Sequence, residues 1–180
     1  MHFPTTSALS NFSQMSNGGP PPNANYINGP YNSEGMVIES SRCVADPNNV
    51  SEMGNALWIA NSFGPDFEAW ITIDEVDADW AYVSLFLYNI PQTSGYIVTW
   101  LTANNSQINS ITLYDDNLNI IWVSSIVPIL ANNAQFGFQT AEGNSLTIYT
   151  NTGTGWRELV TVNQLSIPSS GYIGFGAFAP

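Results

Sequence analysis

Aliphatic and polar or aromatic residues alternate with a period of two through most of the chain beyond residue 35. Ala69, Ile71 and Ile73 are interleaved with Trp70 and Thr72, and Ala81, Val83, Leu85 and Leu87 with Tyr82 and Ser84. Such a period belongs to a strand that buries one face. Segments of this kind, rich in Ile, Val, Tyr, Trp, Phe and Thr and bounded by Gly, Pro, Asn and Asp, predict strands at 36–44, 56–62, 67–74, 80–89, 95–102, 108–115, 118–124, 135–140, 145–151, 156–163 and 171–178. Asp115-Asp116-Asn117 predicts a tight hairpin turn, and Asn151-Thr-Gly-Thr-Gly155 another. No stretch sustains a 3.6-residue apolar repeat, and nothing recurs at a solenoid period. The pattern predicts an all-β fold, an antiparallel two-sheet β-sandwich.

The same alternation assigns faces. Ile71, Val83, Leu85, Leu87, Leu113, Ile148 and Phe175 are expected in the core, and Ile97 and Leu101 are read as inward too. Trp70, Tyr82, Tyr96 and Trp100 then point outward among Ser and Thr, as rings suited to sugar stacking or to a protein interface. The competing expectation is that both sheet faces are covered and these rings are core.

Before residue 36 the pattern changes. Asn17-Gly-Gly-Pro-Pro-Pro-Asn23 and Asn28-Gly29-Pro30 exclude a regular helix or a central strand. Residues 1–35 therefore read as an extended arm and 36–180 as the sandwich domain. Phe3, Phe12, Tyr26 and Tyr31 are scattered along the arm as candidate anchors onto a partner chain.

Charge narrows the function. The 180 residues contain Arg42 and Arg157, no lysine, one histidine (His2) and 14 acidic residues, for a net charge of −12. Nucleic-acid binding and polybasic membrane attachment both need more cations than this. No run approaches a membrane span, and the opening residues lack the pattern of a secretory signal. A histidine-assisted nucleophile would have to rest on His2. Cys43 is alone and reads as an ordinary strand residue.

Gly95-Tyr-Ile-Val-Thr-Trp100, Ser110-Ile-Thr-Leu-Tyr114, the 118–124 strand, Asn144-Ser-Leu-Thr-Ile-Tyr149 and Gly171-Tyr-Ile-Gly-Phe-Gly176 follow one another in a telling order. Over about residues 38–178 this succession resembles the concanavalin A-like jelly roll of legume-lectin, laminin-G and pentraxin domains, and Ser62-Phe-Gly-Pro-Asp-Phe-Glu-Ala-Trp70 is similar to the opening strand of such modules in phage and environmental proteins. The resemblance implies a fold more than a function.

That family's retaining β-glucanases carry Glu-Ile-Asp-x-Glu on one strand face. Here Glu75 and Asp77 match, but Asp79 replaces the second Glu, and the segment Asp74-Glu-Val-Asp-Ala-Asp79 falls between two predicted strands. A shortened side chain widens a carboxyl gap that retaining hydrolysis holds near 5–5.5 Å. No enzymatic activity is expected. Asp74, Glu75, Asp77 and Asp79 also form a weak candidate for calcium, the one cofactor considered, with a solvated acidic turn as the plainer reading.

Three functions compete. The first is a non-catalytic virion structural protein, a bacteriophage capsid decoration (cement) subunit or fibre module, located in the virion and held to capsid or tail subunits by its arm as a homo-oligomer. It fits a small chain with few charges, net negative, away from packaged DNA. The second is a carbohydrate-binding lectin module whose partners are glycans. The third, most remote, is a β-glucanase-like glycosidase.

Overall fold

The computed structural model describes residues 3–5, 26–28, 36–39, 42–45, 53–76, 80–89, 94–103 and 108–178. The strands are β1 (Tyr26–Asn28), β2 (Met36–Glu39), β3 (Arg42–Ala45), β4 (Met53–Phe63), β5 (Glu68–Thr72), β6 (Trp80–Asn89), β7 (Gly95–Ala103), β8 (Ile108–Asp115), β9 (Ile120–Ser124), β10 (Gln135–Ala141), β11 (Ser145–Asn151), β12 (Arg157–Val162) and β13 (Gly171–Phe178). No helix occurs among the described residues. A seven-stranded sheet runs β1-β4-β13-β6-β7-β8-β9, a four-stranded sheet β12-β11-β10-β5, and β2 pairs with β3 alone. Every pairing is antiparallel. The result is the expected jelly-roll sandwich.

The two large sheets meet through side chains that alternate inward. Val83, Leu85 and Leu87 of β6, Leu113 of β8 and Ile148 of β11 are buried in the core, with Ile71 and Phe175 packed against it. Trp100 from the large sheet and Phe136 from the small one touch across it, ring centroids 5.7 Å apart.

One face expectation is reversed. Val98 of β7 lies opposite Leu85, Trp100 opposite Val83 and Tyr96 opposite Leu87. The aliphatic face of β6 is unambiguous, so it turns Tyr96, Val98 and Trp100 inward and Ile97 outward. Trp100 is 0 % exposed, and its indole N–H reaches Asn109 Oδ1 at 3.3 Å. Asn109 in turn donates through Nδ2 to the carbonyls of Val127 and Pro128 at 2.9 and 2.7 Å, clasping that loop to β8. The Tyr96 hydroxyl accepts from Ser166 N at 2.9 Å and holds the loop before β13. These two rings are structural anchors, and Trp100 presents nothing to a ligand.

The outer face of the large sheet carries a second apolar cluster of Leu57, Phe86, Tyr88 and Ile97, with Tyr114 packed beside it. Leu57, Phe86, Ile97 and Tyr114 lie in one cross-strand row with Gly174 among them. Tyr82 shares this outer face, half-buried, and burial pushes its phenol up to about 12. At the far edge, β9 leaves Ile120, Ile121 and Val123 exposed.

The predicted 36–44 strand is two antiparallel strands, β2 and β3. The predicted 118–124 strand begins two residues late, because Leu118 takes a left-handed φ of 62° in the turn. Part of the arm belongs to its own sandwich: Tyr26–Asn28 pair with Trp58, Leu57 and Ala56 at the sheet edge. Phe12 and Tyr31 lie outside the described residues.

Candidate functional site

Alternation in the four-stranded sheet sends Ala69, Phe136, Phe138, Leu146 and Ile148 into the core. Their neighbours necessarily form the opposite face. The register aligns these in rows across the strands. Trp70 of β5 lies opposite Gly137 of β10, Gly137 opposite Tyr149 of β11, and Tyr149 opposite Glu158 of β12. The flanking rows are Glu68, Gln139, Thr147 and Thr161 on one side, and Thr72, Gln135 and Asn151 on the other. The middle row is thus aromatic with a glycine in its floor, and both borders are amides, hydroxyls and a carboxylate.

The β11–β12 turn completes the site. Asn151 Oδ1 accepts from Gly153 N and Gly155 N at 2.9 and 3.0 Å, while both glycines hold φ near +100° (101° and 94°). Only glycine adopts that backbone without strain. The turn delivers Trp156 beside the middle row, edge-on to Trp70 with ring centroids 6.3 Å apart. Hydrogen bonds tie the border side chains together: Asn151 Nδ2 to Gln135 Oε1 at 2.7 Å, Gln135 Nε2 to Thr72 Oγ1 at 3.2 Å, and Thr161 Oγ1 to Glu158 Oε1 at 3.1 Å. Burial, then the charge of Glu158 and, more weakly, that of Glu68, push the Tyr149 phenol up from its ordinary value, against an opposing hydrogen bond with Thr147. The ring therefore stays neutral and keeps its hydroxyl as a donor.

The chain's own arm lies on this surface. Phe3 stacks flat on Tyr149, centroids 4.2 Å apart and planes 4° from parallel, and meets Trp156 edge-on at 4.7 Å. It is 8 % exposed. A Cβ at residue 137 would stand 2.5 Å from Phe3 Cζ, so Gly137 leaves the space the ring fills. Two residues on, Thr5 donates its backbone N–H to Glu68 Oε1 at 2.6 Å and its hydroxyl to Glu68 Oε2 at 3.1 Å. Phe3, read from sequence as an anchor on a partner chain, is an anchor on its own sheet.

Of the rings expected on an outward face, Trp70 is the one that this site uses. Tyr149, Trp156, Glu68 and Gly137 were not singled out in advance. Their signal was available: Leu146, Ile148 and Thr150 alternate with Thr147, Tyr149 and Asn151, which already separates a core face from a polar–aromatic one.

The acidic hexapeptide lies elsewhere, in the connection after β5. Asp74 and Glu75 are exposed there, Val76 N donates to Asn132 Oδ1 at 2.9 Å, and Asp77 and Asp79 fall outside the described residues. Among the described residues no three His, Cys, Asp or Glu side chains gather as metal ligands.

No family model matches the chain, and no curated protein matches it. Solved structures do. The exoplasmic/lumenal domain of VIP36, in its Ca2+/Man-bound form, aligns at a TM-score of 0.62 with 11 % identity over 86 % of this chain and 76 % of that one. A legume lectin-like domain from Entamoeba histolytica gives 0.61 with 12 % identity over 84 % and 80 %. The Bacillus licheniformis β-glucanase gives 0.58 with 12 % identity over 93 % and 83 %. At these identities the likeness is one of fold: a concanavalin A-like jelly roll, shared by lectins and glycosidases.

Proposed function

We propose that the protein is a non-catalytic carbohydrate-binding module whose site is the outer face of the four-stranded sheet. The observation that supports it is the group of Trp70, Tyr149 and Trp156 over a glycine floor, bordered by Glu68, Gln135, Gln139, Thr147 and Asn151. Aromatic faces stack on the C–H faces of a pyranose, while amides and carboxylates bond its hydroxyls. The solved structures of the same fold include a mannose-bound domain, which agrees with this reading.

The non-catalytic part rests on the carboxylates. Glu68 on β5 and Glu158 on β12 are separated by two intervening strands, three spacings or about 14 Å between backbones. Glycoside hydrolysis sets its two carboxyls about 5–9.5 Å apart across one bond. These two would have to reach toward each other over both strands to serve, whereas Glu68 is engaged by Thr5 and Glu158 by Thr161. Asp74 and Glu75 lie beyond the end of β5, exposed. A virion location keeps only the support of composition, since residues 3–5 and 26–28 contact their own sandwich.

The test is titration with cellohexaose and mannohexaose, neutral hexose chains that differ in configuration at C2, followed by indole fluorescence. Binding by the wild type should weaken at least tenfold in Trp156→Ala and Tyr149→Ala while thermal unfolding stays two-state. No response up to 10 mM from the wild type and from a variant lacking the Phe3 ring would overturn the proposal.

A further inference from the structure

The segment Phe3-Pro4-Thr5 copies what a sugar would offer this surface, and that copying is informative. Its flat ring lies parallel to Tyr149 at stacking distance. Its two donors, one N–H and one O–H of a single residue, engage both oxygens of Glu68. A pyranose supplies the same pair of features: one flat apolar face and adjacent hydroxyl donors at its rim.

We propose that Phe3-Pro4-Thr5 is a built-in competitor that fills the ligand subsite, so that a sugar ring stacks on Tyr149 and places two neighbouring hydroxyls on Glu68 only after the segment has left. This inference deepens the carbohydrate reading and rests on it for the identity of the ligand. The occupancy itself rests on the contacts above.

Several features make the occupancy specific. Gly137 leaves the space into which the ring settles, and a Cβ there would also stand 2.9 Å from the carbonyl of Ala69. Trp156 closes one side edge-on. Glu68 is held in the border row beside Gln139. Among the described residues the segment is held by the Phe3 ring, against Tyr149, Trp156 and Gly137, and by the Thr5 donors on Glu68, and it forms no strand of either sheet. A site that is open only part of the time binds with its intrinsic affinity reduced by the open fraction.

The experiment compares the full chain with Phe3→Ala and Thr5→Val, using cellohexaose and mannohexaose by calorimetry, and acrylamide quenching of tryptophan without sugar. Phe3→Ala should bind whichever hexaose the wild type prefers about five- to twentyfold more tightly, and Thr5→Val should move the same way by a smaller factor. Quenching should rise in Phe3→Ala as Trp156 and Trp70 become accessible. A synthetic peptide of sequence His-Phe-Pro-Thr-Thr should bind Phe3→Ala in trans and suppress the added quenching.

The outcomes separate. Equal sugar affinity in wild type and Phe3→Ala overturns the competitor, leaving the sugar site standing. Unchanged quenching together with no peptide binding overturns the competitor whether or not sugar binds. Increased quenching and peptide binding with no response to either hexaose upholds the occupancy and sinks the carbohydrate reading. A purely structural role for Phe3 would lower the melting temperature while leaving sugar affinity alone.

Discussion

Trp100 shows what a single side chain decides here. Its ring fills the gap between the sheets against Phe136, and its one polar atom is met by Asn109. Trp100→Ala is expected to cost about 3–5 kcal/mol, the range for emptying a large aromatic site in a core. Denaturant unfolding checks it, and a loss below 1 kcal/mol would contradict the burial. The sequence reading placed this residue outside because aromatic and aliphatic side chains alternate on β7 with nearly equal hydrophobic weight. Nothing local breaks that tie; the register with β6 does. On β5 and β6 one face is wholly aliphatic, Ala69 and Ile71 against Trp70 and Thr72, and Val83, Leu85 and Leu87 against Tyr82 and Ser84, and there the inward faces were legible. Cys43 is a quieter case. It is half-buried against Met36, Sγ to Sδ 4.0 Å, and burial pushes its thiol up to about 12. Iodoacetamide should therefore alkylate it far more slowly in the folded protein at pH 8 than in urea, by mass spectrometry.

Strands were legible to within a few residues wherever turn chemistry marked their ends. The Asp115 turn is an example. Its carboxylate accepts from Asn117 N, Asn119 N and Asn119 Nδ2 at 2.9, 2.8 and 2.9 Å, and the bond from the Asn119 side chain leads in holding it below its ordinary pKa. The residue that reverses the chain is Leu118 at φ 62°, a conformation that costs a side-chain-bearing residue about 1–2 kcal/mol. Leu118→Gly is expected to stabilise the protein by up to about 1 kcal/mol after glycine's own entropy is counted, read as a higher melting temperature. The hairpin continues into β9, an edge strand with Ile120, Ile121 and Val123 exposed. Such edges invite strand pairing between molecules. Val123→Lys should lower light scattering at high concentration with little change in melting temperature.

For the molecule as a whole, the two outer faces have different fates. The large sheet's face bears an apolar cluster of its own, and the small sheet's face bears the polar–aromatic site. Composition could not separate them, because aromatic residues contribute to both; the difference lies in which rows the cross-strand register assembles. Nor could it show that residue 3 lies over residue 137, a contact between distant parts of the chain. Whole-molecule stability should respond to alkali. Burial pushes Cys43 and Tyr82, with ordinary values of 9.0 and 10.0, up to about 12 in the fold. Both are raised, so their contribution is complete below about pH 9 and is lost as pH climbs toward 12. Melting temperature should fall progressively across that window, and a flat profile from pH 9 to 11.5 would contradict the burial of both groups. The order β12-β11-β10-β5 has a further consequence, since both borders of the small sheet are free edges among the described residues. The row from Trp70 to Glu158 runs crosswise, from one edge strand to the other, for about 14 Å. On the proposed carbohydrate reading, a polymer laid along it would cross both edge strands, so the strip would measure the middle of a chain rather than its termini. If that reading holds, affinity for a hexose oligomer should climb with length until the strip is spanned and then level off, and capping the reducing end should change nothing.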